Sequence, residues 1–184
     1  QRDASIASAT PFSNAATICS FPMALKDNPL YLGLSAEQID QAFDGIGSTA
    51  PPIDIPTGVG FCMAMRKFVI DQIGAFDPIY GRGYGEENDW CMRAAARGHR
   101  HVLVANVFVY HKHGGSFQSE ERVRLIKDNL CVLKARYPKY QELVEAHIQA
   151  DPGKALRELI KLRLFAEETG GVTVIIDHGL GGGA

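Results

Sequence analysis

The chain has 184 residues with 19 basic against 21 acidic side chains, a formal net charge of −2, 46% hydrophobic and 22% charged residues, and 19 glycines with 9 prolines. That is a soluble globular composition sized for one medium domain, long enough to bury about 70% of its extended surface without staples. Near-neutral charge excludes a general electrostatic binder of nucleic acid, which carries a basic excess.

Cys19, Cys62, Cys91 and Cys131 form no CxxC pair. They read as four buried thiols of a reducing compartment, so the expected location is cytoplasmic. No run of 18 apolar residues occurs, and the start at Gln1 lacks a signal-peptide pattern. The chain reads as an internal segment of a longer protein.

In chain order, residues 3–22 are Ser/Ala/Thr-rich with short apolar stretches. Ser35 to Gln38, ahead of Ile39, Ala42, Phe43 and Ile46, predicts a short helix with a capping box, ended by Pro51-Pro52. Residues 53–66 read as a turn followed by an apolar strand, and 67–76 as a short helix stopped by Gly74. A glycine-rich stretch, Gly81 to Gly85, then leads into a helix from about Glu86 to Arg97, closed by Gly98. A strand over 101–111 follows, and then a helix over 119–136 whose Val123, Ile126, Leu130 and Leu133 are spaced as one buried face. Two more helices are expected at 138–149 and 153–167, the second with Asp151 as N-cap and Pro152 in its first turn. Gly170-Gly171 precedes an apolar strand, 172–176, that runs into HGLGGGA.

The densest chemical signal lies in residues 83–117. Glu86, Glu87 and Asp89 occupy the first turn of a helix behind a glycine loop, where backbone can approach a ligand closely. Taken alone, such a turn is what the helix macrodipole favours, with Asp89 and Arg93 as an i,i+4 pair and Trp90 as a core contact. The strand after it changes that balance. Val107, Val109, His111 and His113 fall on one face of an extended chain, Phe108 and Tyr110 on the other. Two histidines at a strand exit, followed by Gly114-Gly115-Ser116, put imidazole at the sheet edge where α/β ligands bind. Imidazole with carboxylates suits Mn, Fe or Zn, or Mg where carboxylate and phosphate oxygens dominate.

Gly58 to Phe61, Gly74-Ala75-Phe76-Asp77, Gly85 to Arg93, Gly98, and His111 to Ser116 occur here in the order of a known set of motifs. Over roughly residues 5–117 the chain resembles the acceptor-side half of family 2 glycosyltransferases, inverting nucleotide-sugar enzymes of GT-A fold. Residues 11–22 look like the segment after the metal-binding DxD strand in rhamnosyltransferase-like members. The resemblance implies an α/β fold: a partial GT-A domain with a mixed sheet and flanking helices over 1–117. A C-terminal helical extension follows over 118–168, and 169–184 are a linker with the truncated first strand of a further domain, similar to the opening of a GT-B glycosyltransferase.

By position, the resemblance makes Glu87 the catalytic base, Asp89 the second acidic position and His111 the histidine of the metal site. Because the chain reads Glu-Glu-Asn-Asp where the family's common pattern is Glu-Asp-x-Asp, Glu86 remains a further candidate for the base. Gly58, Gly60 and Gly85 would let backbone approach the substrates, Trp90 would stack an acceptor sugar, and Arg93 completes the substrate-binding set. The implied reaction is transfer of a sugar, with inversion, from a nucleotide-sugar donor to a sugar or glycolipid hydroxyl in polysaccharide or glycoconjugate synthesis. A divalent metal, Mg or Mn, is the expected cofactor. The family's DxD half is missing, so the metal site is expected to be incomplete, the segment alone inactive and nucleotide-sugar binding weak. Peripheral membrane association of a full-length protein is compatible with this reading. Two other classes stand beside it: a non-catalytic, glycosyltransferase-like interaction module, and a metal-dependent hydrolase on the Glu/His cluster.

Overall fold

The structure is a computed structural model that describes residues 3–46, 50–81, 83–112 and 119–171. Four strands, β1 (Ile6–Phe12), β2 (Ile53–Ile55), β3 (Ala64–Met65) and β4 (Arg100–Phe108), form one mixed sheet in the order β2-β4-β1-β3. The helices are α1 (Ala36–Asp44), α2 (Lys67–Ile73), α3 (Glu86–Ala95), α4 (Ser119–Arg136), α5 (Tyr140–Ala150) and α6 (Lys154–Thr169). The α/β class, the mixed sheet and the flanking helices therefore agree with expectation. No helix among the described residues is long and apolar enough to cross a membrane.

The two central strands run parallel, with Ala9 opposite Val102 and Thr10 opposite Leu103, while β3 pairs antiparallel with β1 and β2 antiparallel with β4. Pro11 lies opposite Val104 but Phe12 lies opposite Phe108, so β4 carries extra residues just where the proline withholds a ladder donor. The Phe108 N–H is taken instead by Asp40 Oδ1 of α1 at 2.8 Å. This bulge ends the expected strict alternation over 107–111, and β4 stops at Phe108 rather than His111.

The larger core joins the ends of β1 and β4 to α1 and α6 through Phe12, Phe21, Phe43, Phe108, Ile160 and Leu164. The Phe43 ring sits 5.0 Å from Phe12, 5.2 Å from Phe21 and 5.8 Å from Phe108. A smaller core packs α2 and α3 on β1 through Ala7, Val69, Trp90, Cys91 and Ala94.

Local chemistry explains most boundaries. The α1 capping box is complete: Ser35 Oγ accepts from Gln38 N–H at 3.2 Å, and Gln38 Oε1 accepts from Ser35 N–H at 2.9 Å. Gly74 ends α2 with φ 83°, a conformation that glycine adopts without Cβ strain.

Four expectations need correction. Residues 53–66 make no continuous strand; β2 and β3 are separated by an eight-residue loop that begins at Pro56 and carries Gly58 and Gly60. Asp151 is the left-handed C-cap of α5, not the N-cap of α6, because Gly153 fills that position and the Asp151 carboxylate instead pairs with buried Arg157. Cys19 and Cys91 are buried, but Cys62 is partly exposed and Cys131 exposed. On α4 only Leu133 of the four apolar positions is buried, while Val123, Ile126 and Leu130 face outward.

Candidate active site

Sheet topology sets the site's floor. Because β1 and β4 are parallel, their C-terminal ends share one edge, and the residues that follow them meet there. Asn14 Oδ1 accepts from His111 N–H at 2.8 Å, and Asn14 Nδ2 donates to His111 O at 3.1 Å. The His111 ring stacks on Phe61, centroids 5.1 Å apart, and its Nδ1 lies 2.7 Å from Ala15 O. A carbonyl can only accept, so Nδ1 carries the proton and the ring lone pair is on Nε2.

The loop between β2 and β3 joins this edge to α3. Val59 N–H donates to Thr10 Oγ1 at 3.3 Å and Gly58 N–H to Cys91 Sγ at 3.3 Å. At Gly58 a Cβ would displace the end of the Met63 side chain and lie 3.0 Å from Thr10 Oγ1, so that glycine is packed against the protein. Gly60 is exposed, and a Cβ there would sit 3.5 Å from the Glu87 carboxyl carbon. Gly60 thus borders the carboxyl group of Glu87 while its neighbour Phe61 carries His111.

The approach to α3 is a left-handed turn. Gly83, Tyr84 and Gly85 have φ of 129°, 69° and 119°. At Gly85 a Cβ would lie a tight 3.2 Å from the Tyr80 ring, and at φ 119° any L side chain would be strained. A tyrosine at φ 69° is held there by its surroundings. Asn129 of α4, itself buried, donates from Nδ2 to Tyr80 O at 2.9 Å and to Gly83 O at 2.7 Å.

The three carboxylates of the first turn have separate fates. Glu87 is partly buried and accepts from Gly85 N–H at 3.3 Å. Burial pushes its carboxyl above the ordinary glutamate range, the charge of Glu86 adds to that, and the Gly85 hydrogen bond opposes both. Glu86 Oε2 is buried with no hydrogen-bond partner among the described residues. Asp89 is wholly enclosed, accepting from Arg93 Nε at 2.8 Å, Arg136 Nη1 at 2.9 Å, Tyr137 Oη at 2.9 Å and Tyr80 Oη at 3.3 Å. Burial alone would raise Asp89; the hydrogen bonds from Arg93, Arg136 and Tyr137 outweigh it and hold the carboxyl below the ordinary range.

Glu86, Glu87, Gly85 and Gly60 are therefore brought together, and His111 shares their edge through Phe61. The other expected residues serve the fold in this structure. Asp89 has a side chain 0% exposed and spends both oxygens on protein donors, so it has no path to an acceptor hydroxyl. Trp90, also 0% exposed, donates Nε1–H to Gly74 O at 3.0 Å and packs among core residues, which leaves no ring face for a sugar. Arg93 donates to Asp89, Ile73 O and Ala75 O, closing the end of α2 with its side chain still partly exposed. His113, Gly114 to Phe117 and the tail from Val172 lie outside the described residues.

Sequence reading missed Asn129, Arg136 and Tyr140, on helices beyond residue 117, and Tyr137, in the connection between α4 and α5. A signal existed in Asn129, a polar residue set against the apolar stripe of α4. Tyr140 hydrogen-bonds the Thr57 side chain and faces Glu87; burial first, then the Glu87 charge, pushes its hydroxyl up to about 12. Among the described residues no three His, Cys, Asp or Glu side chains converge as a metal-binding group. His111 suits a divalent cation as a single ligand, its tautomer fixed by Ala15 O as in metal sites with a hydrogen-bonded far nitrogen. No family model, curated protein or solved structure matches the chain.

Proposed function

We propose that the chain forms the acceptor side of an inverting, metal-dependent glycosyltransferase of GT-A type, with Glu87 as general base. The observation that carries this reading is the state of Glu87. It is partly buried, raised in pKa, held by backbone N–H groups that include that of Gly85, and set beside exposed Gly60 at the edge that also holds His111. A raised carboxyl is a stronger base once ionised, and its edge position gives a hydroxyl access that Asp89 lacks.

In this mechanism Glu87 takes the proton of the acceptor hydroxyl as that oxygen attacks the anomeric carbon and the bond to the nucleoside diphosphate breaks on the opposite face. One base suffices for inversion by direct displacement. The chemistry that a bound Mg or Mn supplies is neutralisation of charge on the departing diphosphate, and His111 is the residue on this chain that would hold it. The charge of Glu86, beside Glu87, helps to keep the affinity of Glu87 for a proton high. The exposed turn at Gly60 and the backbone of Gly83 to Gly85 bound the space where the acceptor sugar would lie.

The test is sugar transfer from nucleotide-sugar donors by this chain, or by a longer polypeptide that carries it, with Glu87→Gln as the variant. Loss of about 10²- to 10⁴-fold in kcat is expected for removal of a general base. Unchanged turnover in E87Q removes Glu87 from that role. The structural employment of Asp89, Trp90 and Arg93 favours the second reading, a non-catalytic module. On that reading wild-type protein binds a glycan acceptor without turning it over, and E87Q binds it equally well.

A further inference from the structure

We propose that Asn129, on α4, is a positioning residue for Glu87: its amide ties the carbonyls of Tyr80 and Gly83 together and so fixes the left-handed turn whose Gly85 N–H orients the Glu87 carboxylate. The inference rests on the reading of Glu87 as the base. It also extends the site beyond residue 117, where the family-like motifs end.

Both contacts of the Asn129 amide are to carbonyl oxygens, which only accept, so the NH2 group must face the loop and both its protons are in use. The Asn129 Cβ lies 3.7 Å from where a Cβ on Gly85 would stand, so the same side chain also packs under the turn. The turn needs such support. Gly83, Tyr84 and Gly85 are three consecutive residues in the left-handed region, and the middle one carries a side chain. A Cβ on Gly83 would be 3.7 Å from Glu86 Oε1, so shifting this backbone moves the surroundings of both glutamates.

The rest of α4 is anchored independently, through buried Leu133 and through Arg136, which donates to Asp77 Oδ2 at 2.8 Å and to Asp89. Docking of the helix and support of the turn can therefore be separated by mutation. Among the described residues, the titratable groups that face Glu87 are Glu86 and Cys91 on its own helix and Tyr140 on α5. None of them is altered by substitution at 129.

The experiment is a 13C-carboxyl NMR titration of Glu87 in the full chain for wild type, Asn129→Leu, Asn129→Ser and Leu133→Ala. Leucine is close to isosteric and has no donor; serine is the milder change should leucine prevent folding. Released from the turn, Glu87 loses the hydrogen bond that favours its ionised form, so its titration midpoint rises in the Asn129 variants. L133A, which removes a buried side chain of the same helix and keeps the Asn129 amide, leaves the midpoint in place. In the transfer assay the Asn129 variants lose about 10- to 100-fold in kcat with donor KM within about twofold, and the acidic limb of the kcat profile moves up with the midpoint. An unmoved midpoint in the Asn129 variants that fold, or an equal move in L133A, overturns the proposal. Absence of transfer by a longer polypeptide that carries the chain defeats the glycosyltransferase reading instead, and the titration still decides whether Asn129 positions Glu87.

Discussion

Glu87 and Asp89 stand two residues apart on one turn of α3, and their environments push them in opposite directions. The hydrogen bonds that Asp89 accepts from Arg93, Arg136 and Tyr137 outweigh its burial and lower its pKa. Its contribution to stability is therefore present above the unfolded value of about 3.9 and is lost as pH falls through the lower folded value. Glu87 is raised by burial and by Glu86, so its contribution is complete below about 4.3 and is lost as pH rises through the folded value. Ionised Glu87 thus costs the fold stability at neutral pH. Two opposite shifts are expected in urea unfolding at pH 7. Asp89→Asn should lose about 3 kcal/mol, since it breaks an ion pair whose carboxylate is fully enclosed. Glu87→Gln should gain stability at pH 7, with the gain fading by about pH 4, where both states already hold the proton. A destabilised E87Q at pH 7 would contradict the raised carboxyl. The sequence pairs Asp89 with Arg93, but the Arg136 and Tyr137 donors that complete its enclosure come from far along the chain and leave no local signal.

At the scale of elements, what was legible followed from chemistry that acts within a few residues. The Ser35 to Gln38 capping box and the Gly74 stop depend on neighbours alone, and both formed as read. The 119–136 helix has the expected bounds, yet its orientation was misjudged because apolar spacing gives a stripe without saying which part of it meets the core. The helix instead turns inward the side that carries Asn129, Leu133 and Arg136, with Asn129 on the glycine turn, Arg136 on Asp89 and Leu133 buried. Long-range polar bonds set that rotation, and they leave no periodic trace. The two halves of the stripe should accordingly respond differently to truncation. Leu133→Ala, at a site 1% exposed, should cost about 3 kcal/mol, whereas Val123→Ala, 66% exposed, should stay within about 0.5 kcal/mol. Equal costs in denaturant titrations would mean that the helix packs by its whole stripe. The strand misread at 53–66 has a similar cause: hydrophobic content persisted through a loop whose apolar residues pack onto the sheet edge, as Val59 and Phe61 do against the larger core.

Across the whole molecule, the family-like motifs over 5–117 suggested a domain followed by a helical extension at 118–168. The packing ties these parts together. Ile160 and Leu164 of α6 are fully buried in the same core as Phe12, Phe43 and Phe108, and Arg163 lies over Gly45 at the end of α1. Arg136 and Tyr137 meet the one carboxylate that the first 117 residues enclose without enough donors of their own. Sequence reading could place these helices in order but not assign them to the core, because their partners lie about a hundred residues upstream. A chain ending at residue 118 would leave the apolar face of α1 open and Asp89 buried beside two fewer donors, losses that together exceed the margin of a typical domain. Such a truncation is expected to show no cooperative thermal transition and to bind a hydrophobic dye, while the full chain melts in one step. If the truncated chain instead unfolds cooperatively with its own sharp midpoint, residues 1–117 are a folding unit in their own right. The helices beyond would then be an addition to the site rather than a part of its foundation.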